Sequence, residues 1–186
     1  MAGPLSNEKV EEIFAKQPIP EAQDARFHHT AFRVKDPEVS LDFYRRIFGM
    51  SLQSRIDLPN YKTTVYFLGY GKPENNPESS LCKWQDMSIE LFHVWGSESQ
   101  RDLHYSNGNE RPKGYGHIGL TVPDVHAFAE RIERMGVPFI KKPREGSPKG
   151  QAFIRDPDGY YIEIISELSI APGEENPEAY SEMFKL

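Results

Sequence analysis

The chain contains a single cysteine, Cys82, among 186 residues, so an intrachain disulfide is excluded. That fits a reducing compartment. Cys82 lies in SSLCKW, outside any cysteine-hydrolase signature, and reads as a small apolar residue rather than a nucleophile. No apolar run approaches the ~20 residues that a membrane span needs, so no membrane partner is expected. The start, MAGPLSNEKVEEIFAK, lacks an apolar signal core and carries acids that transit peptides avoid. A cytoplasmic location is the expectation. Dense basic clusters are also missing, and the net charge is −6, which argues against a nucleic-acid surface.

What remains is an ordinary globular composition, 38% hydrophobic and 27% charged. It is enough for one well-cored domain or two small similar halves. Residues 1–26 are polar, with Pro18 and Pro20, and Ser6-Asn7 before EKVEEIFAK predicts a capped helix with Val10, Ile13 and Phe14 on one face. This segment reads as an N-terminal helical arm.

Beyond it a pattern occurs twice. HTAFRV starts at His29 and alternates like a strand; Lys35-Asp36-Pro37 turns the chain; SLDFYRRIFGM predicts a helix ending at Gly49. HIGLTV starts at His117; Pro123-Asp124 turns the chain; VHAFAERIERMG predicts a second helix ending at Gly136. Three strands follow each helix: MSLQSRIDL, KTTVYFLGY and MSIELFHVW, then VPFIKK, GQAFIRD and YYIEIIS. The fold class is therefore α+β, two βαβββ modules at 27–96 and 115–166, and the self-similarity suggests duplication. Residues 97–114 connect them, 71–83 form a polar loop, and 167–186 form a C-terminal extension with Pro172 and Pro177.

Four residues recur in matching places. His29 and His117 begin the first strand of each module; Glu90 (SIELF) and Glu163 (YIEII) sit on the last. A glutamate among apolar neighbours is rarely buried without a partner. On an alternating strand each lies opposite its isoleucine and leucine neighbours, which permits a solvent-facing side or an inward polar cavity. One such residue is ordinarily just solvated. Two imidazoles and two carboxylates at equivalent positions suit a transition metal such as Zn, Ni, Co or Fe.

Residues 29–165 closely resemble glyoxalase I (lactoylglutathione lyase) of the vicinal-oxygen-chelate superfamily. The motifs are FRVKDPEVSLDFYRRIFGMSL, VYFLGY, SIELFHVWG, SNGNERPKGYGHIGLTVPDV and VPFIKKPREGSPKGQAFIRDPDGYYIEI. The resemblance implies the vicinal-oxygen-chelate fold, a homodimer, and one divalent metal per site held by His29, Glu90, His117 and Glu163. The long, zinc-preferring branch of the family has Gln at the first ligand position and the short, nickel/cobalt-preferring branch has His. This chain has His29 in a long-branch body, so Zn and Ni/Co both stand. His28 is adjacent but out of register with the RVKDP match.

The implied substrate is the glutathione hemithioacetal of methylglyoxal, converted to S-lactoylglutathione by moving a proton from C1 to C2 while the metal stabilises the enediolate. Glu163 matches the principal base, and Glu90 serves the other stereoisomer. Arg33 matches the arginine that holds the γ-glutamyl carboxylate, and Lys141 with Gly146, Ser147, Pro148 and Lys149 matches the loop for the glycyl carboxylate. Val94 and Lys113 stand where the family has Asn and Arg. Ile56, Leu58, Val65, Phe67 and Phe153 match the apolar wall around the aldehyde-derived group, where Phe67 also fits plain core packing. Two other readings share the fold: a thiol transferase or dioxygenase, and a non-catalytic binding module.

Overall fold

The computed structural model describes residues 3–16, 25, 27–70, 88–145 and 150–166. Helix α1 (Asn7–Phe14) starts where Ser6 accepts a hydrogen bond from the Lys9 amide, and it buries none of its side chains. Two four-stranded sheets follow. The first contains β1 (His29–Val34), β2 (Ser51–Leu58), β3 (Thr63–Gly69) and β4 (Ser88–Val94), in the spatial order β1-β4-β3-β2. The second contains β5 (His117–Thr121), β6 (Phe139–Lys141), β7 (Ala152–Arg155) and β8 (Tyr161–Ile165), in the order β5-β8-β7-β6. Helix α2 (Pro37–Phe48) joins β1 to β2, and α3 (Val125–Arg134) joins β5 to β6. Both halves are thus βαβββ, the α+β class expected.

The helix after β1 begins earlier than its apolar spacing suggests. Asp36 is its N-cap, accepting from the amides of Glu38 and Val39, and Pro37 occupies the first turn. What reads as a turn in the sequence is therefore the helix's start. Gly49 closes the helix with φ of 71°, a left-handed conformation that a side chain would disfavour. Asp124 caps α3 in the same way, through the amides of His126 and Ala127.

The crossover helix carries the chain from β1 to the far edge of the sheet. Two antiparallel returns then bring β4 back alongside β1, parallel to it. The second module repeats this, placing β8 parallel to β5. The first and last strands of each module, distant in sequence, thereby become neighbours.

One hydrophobic core serves both modules. Phe32, Val34, Ile89 and Leu91 from the first sheet and Ile154, Ile162 and Ile164 from the second join Tyr44, Ile47, Val125 and Ile132 from the helices. Phe48 stacks on Phe128 with ring centroids 5.7 Å apart. The Arg131 guanidinium lies 4.6 Å from the Phe128 centroid and donates to the Ile47 carbonyl, where a cation suits the C-terminal end of α2.

The loop DPDG between β7 and β8 adds a polar link. Asp156 Oδ1 accepts from the amides of Asp158 and Tyr160, at 3.0 and 2.8 Å. Asp158 reaches the first module, accepting from the Lys35 amide at 2.9 Å and the Ser40 hydroxyl at 3.2 Å. With the Tyr44 hydroxyl donating to Asp156 Oδ2 at 2.9 Å, five acceptor contacts by two carboxylates offset part of the desolvation that burial imposes on them.

Candidate metal centre

Register fixes how each histidine meets its glutamate. In the first sheet Ala31 pairs with Glu90 and His29 with Ser88. In the second Gly119 pairs with Glu163 and His117 with Tyr161. Each histidine is therefore two residues before the position opposite the glutamate, on the same face of the sheet. His29 Nε2 lies 2.9 Å from Glu90 Oε2, and His117 Nε2 lies 3.3 Å from Glu163 Oε2. Ala31 and Gly119 keep the space beside each carboxylate small-walled; a Cβ at Gly119 would meet Glu163 Oε2 at an ordinary 3.7 Å.

Each pair rests on a phenylalanine. Phe67 is the register partner of Glu90, and Phe153 of Glu163. The His29–Phe67 and His117–Phe153 centroid distances are both 5.4 Å, with the rings nearly perpendicular. Phe67 and Phe153 are buried, so each imidazole stands on a dry floor while its edge stays open. The glutamate side chains are mostly covered, at 15% and 18% exposure, and the histidines less so, at 36% and 29%. The alternative that the glutamates merely face solvent does not hold.

Within one chain the four side chains form two pairs rather than one cluster. Among the described residues no group of three or more His, Cys, Asp or Glu side chains is arranged to hold a metal. The donor chemistry of each pair, one imidazole nitrogen beside one carboxylate oxygen, is of the kind that suits a divalent transition metal. Each histidine keeps about a third of its side-chain surface exposed, at 36% and 29%.

The remaining predicted residues divide between the two faces of this site and the loops. Arg33 shares the face of His29, exposed, with its guanidinium 4.8 Å from the Phe92 centroid. Val94 lies further along the face of Glu90, and Ile56, Leu58 and Val65 occupy the same side on β2 and β3. Lys141 lies in one register row with Phe153 and Glu163 and donates to the Gln151 carbonyl at 3.0 Å. Burial pulls its ammonium below the usual lysine range, while Glu163 and Glu145 act in the opposite direction. Lys113 is exposed on the connection between the sheets. Gly146, Ser147, Pro148, Lys149 and Cys82 lie outside the described residues. Two cavities along α3, of about 320 and 500 Å³, touch neither pair.

A family model described as the Glyoxalase/Bleomycin resistance protein/Dioxygenase superfamily matches residues 26–164. The chain belongs to that superfamily. Within the superfamily it is similar to a lactoylglutathione lyase of Pseudomonas aeruginosa, 42% identical over 164 residues, covering 86% of this chain and 92% of that protein. It is 40% identical over 149 residues to a glyoxalase I of Saccharomyces cerevisiae, covering 78% of this chain and 44% of that longer protein. Among solved structures, a trypanothione-dependent glyoxalase I of Leishmania major superposes with a TM-score of 0.60 at 31% identity, covering 79% of this chain and 90% of that one. The resemblance drawn from the motifs is thus the one that these superfamily members bear out.

From the sequence His28 was set aside as out of register, and the polar link between the modules was not singled out. His28 sets its ring against His29, although it falls outside the strand pattern. Tyr44, Ser40, Asp156 and Asp158 form a buried polar link between modules. The acids of DPDG beside buried tyrosines were the available signal for the second.

Proposed function

We propose that this chain is a metal-dependent lactoylglutathione lyase, converting the hemithioacetal of methylglyoxal and glutathione to S-lactoylglutathione. The observation that carries the reading is the pair of equivalent half-sites, His29 with Glu90 and His117 with Glu163, each with imidazole Nε2 turned to a carboxylate oxygen. Their place in a chain 42% identical to a lactoylglutathione lyase gives that chemistry its substrate class.

Both halves open outward, so a homodimer that faces His29 and Glu90 of one copy with His117 and Glu163 of another completes four ligands. The metal is Zn or Ni/Co; when bound it supplies a Lewis acid for the substrate oxygens. Glu163 is the base: its carboxylate takes the C1 proton and gives it back at C2. The isomerisation needs no oxidant or other reactant. Glu90 does the same for the opposite hemithioacetal configuration. Both carboxylates are largely screened from bulk water, which keeps a captured proton from exchanging away. Phe67 and Phe153 wall the site with apolar surface against which the aldehyde-derived group packs.

Arg33 takes the γ-glutamyl carboxylate, its fork suited to two parallel hydrogen bonds. Lys141, with Gly146, Ser147 and Pro148, receives the glycyl end in this reading, and Lys113 supplies a charge without a fork to the thiol-binding side. The enzyme works in the cytoplasm, where glutathione is reduced and a single unpaired cysteine is stable.

The test is thioester absorbance after mixing methylglyoxal, glutathione and protein loaded with Zn, Ni or Co. A protein-dependent rise is expected with at least one metal. No rise with any of the three overturns the lyase reading.

A further inference from the structure

We propose that His28 is a positioning residue: it decides which ring nitrogen of His29 is offered to the metal. The inference rests on the metal-site reading above.

His28 precedes β1, so strand alternation does not turn it to the opposite face. Its carbonyl accepts from the Ser88 amide at 3.2 Å, which ties it to the start of β4, opposite His29. Its ring then folds over the site, edge-on to His29 with centroids 5.0 Å apart and to Phe67 with centroids 6.0 Å apart. The Nδ1 atoms of His28 and His29 lie 2.7 Å apart. At that separation a single N–H···N bond joins them, so one ring carries a proton on Nδ1 and the other does not.

The other nitrogen of His29 is engaged as well. Its Nε2 faces Glu90 Oε2 at 2.9 Å. With the His29 proton on Nε2, that atom donates to Glu90 and His29 Nδ1 accepts from Nδ1–H of His28. A metal needs the lone pair on His29 Nε2. The His29 proton then sits on Nδ1 and donates to His28 Nδ1, and His28 carries its own proton on Nε2. Only a side chain that both donates and accepts serves both, and an imidazole does so by changing tautomer. The second half-site is built differently: His117 follows Gly116, which has no ring to offer.

The test is calorimetric titration of the metal-stripped full-length protein with Ni²⁺ and with Zn²⁺, alongside thermal unfolding of each metal-free protein. His28→Phe keeps the edge contacts and removes the hydrogen bond. It is expected to weaken metal binding by about 10- to 100-fold. His28→Asn has both a donor and an acceptor on its amide and is expected to bind within about threefold of the parent. Both variants are expected to unfold, metal-free, at the parent's temperature. The proposal is overturned if His28→Phe binds as tightly as the parent, or if His28→Asn binds as weakly as His28→Phe. A loss of affinity accompanied by a lower unfolding temperature overturns it too, since His28 would then only support the fold. If the parent takes up neither metal, the metal-site reading itself fails. A parent that binds while His28→Phe is unaffected removes the role of His28 alone.

Discussion

The Tyr44 hydroxyl donates to Asp156 Oδ2 at 2.9 Å, across the boundary between the two modules. Tyr44 is fully buried in α2 and Asp156 nearly so in the β7–β8 loop. Burial raises both groups. The Tyr44 phenol is held well above its usual value, with Asp156 adding to the effect. The Asp156 carboxyl is pushed up to about 6 by burial, against the pull of its hydrogen bonds from Tyr44 and the Tyr160 amide. One bond thus joins the two halves at a carboxyl that titrates near neutrality.

The folded state holds the Asp156 proton more tightly than the unfolded chain, where the value is 3.8. Its contribution to stability is therefore fully present below about pH 4 and is lost as pH rises to about 6. Asp156→Asn is neutral at every pH and lacks that slope. Denaturant unfolding at pH 4 and pH 7 checks this: relative to the variant, the parent is expected to lose on the order of 2–3 kcal/mol between the two. A parallel pH dependence for both proteins would contradict it.

Tyr44→Phe leaves the Asp156 oxygen without its hydroxyl donor. A buried acceptor stripped of its partner costs roughly 1–3 kcal/mol. The same denaturation at pH 7 should show a fall of that size.

Glu163→Gln keeps an oxygen at the proposed metal site but removes the proposed base. Turnover should drop by about 10²- to 10⁴-fold, while metal content per chain, measured by elemental analysis, stays at the parent's level. Unchanged turnover would exclude Glu163 from proton transfer.

The proposed sharing of one site between two copies gives a complementation test. His29→Ala and His117→Ala each break one half, and each alone should lack activity. Mixed and refolded together in equal amounts, they form heterodimers with one intact site, giving about a quarter of the parent's activity per chain. If the mixture stays as inactive as its parts, the sites are not shared between copies.

Arg33→Lys keeps the charge and loses both the fork and the flat contact on Phe92. KM for the hemithioacetal should rise by about tenfold with kcat little changed, because the carboxylate it is proposed to bind is remote from the reacting carbon. Steady-state kinetics over a range of hemithioacetal concentrations reads this out.

The repeat of His, strand, capped helix and three strands, with Glu on the last, was legible from residue pattern and turn chemistry. Those signals are local. The start of α2 was less so, because Asp36-Pro37 reads equally as a turn or as an N-cap with proline in the first turn, and only the amide contacts of Glu38 and Val39 distinguish them. The glutamates' surroundings were left open by alternation alone. They were resolved by β3 and β7, which set Phe67 and Phe153 beside them.

By itself the sequence determined the α+β modules, the duplication and the four metal-ligand candidates, since periodicity, caps and repeated motifs are properties of neighbouring residues. Tertiary structure alone decided that His29 meets Glu90 and His117 meets Glu163 as separate pairs, that His28 turns its ring onto His29, and that Tyr44 reaches Asp156. Those contacts join residues up to 112 positions apart or lie outside any regular element. They depend on strand order and on the shared core that presses the two modules together, which no local pattern encodes.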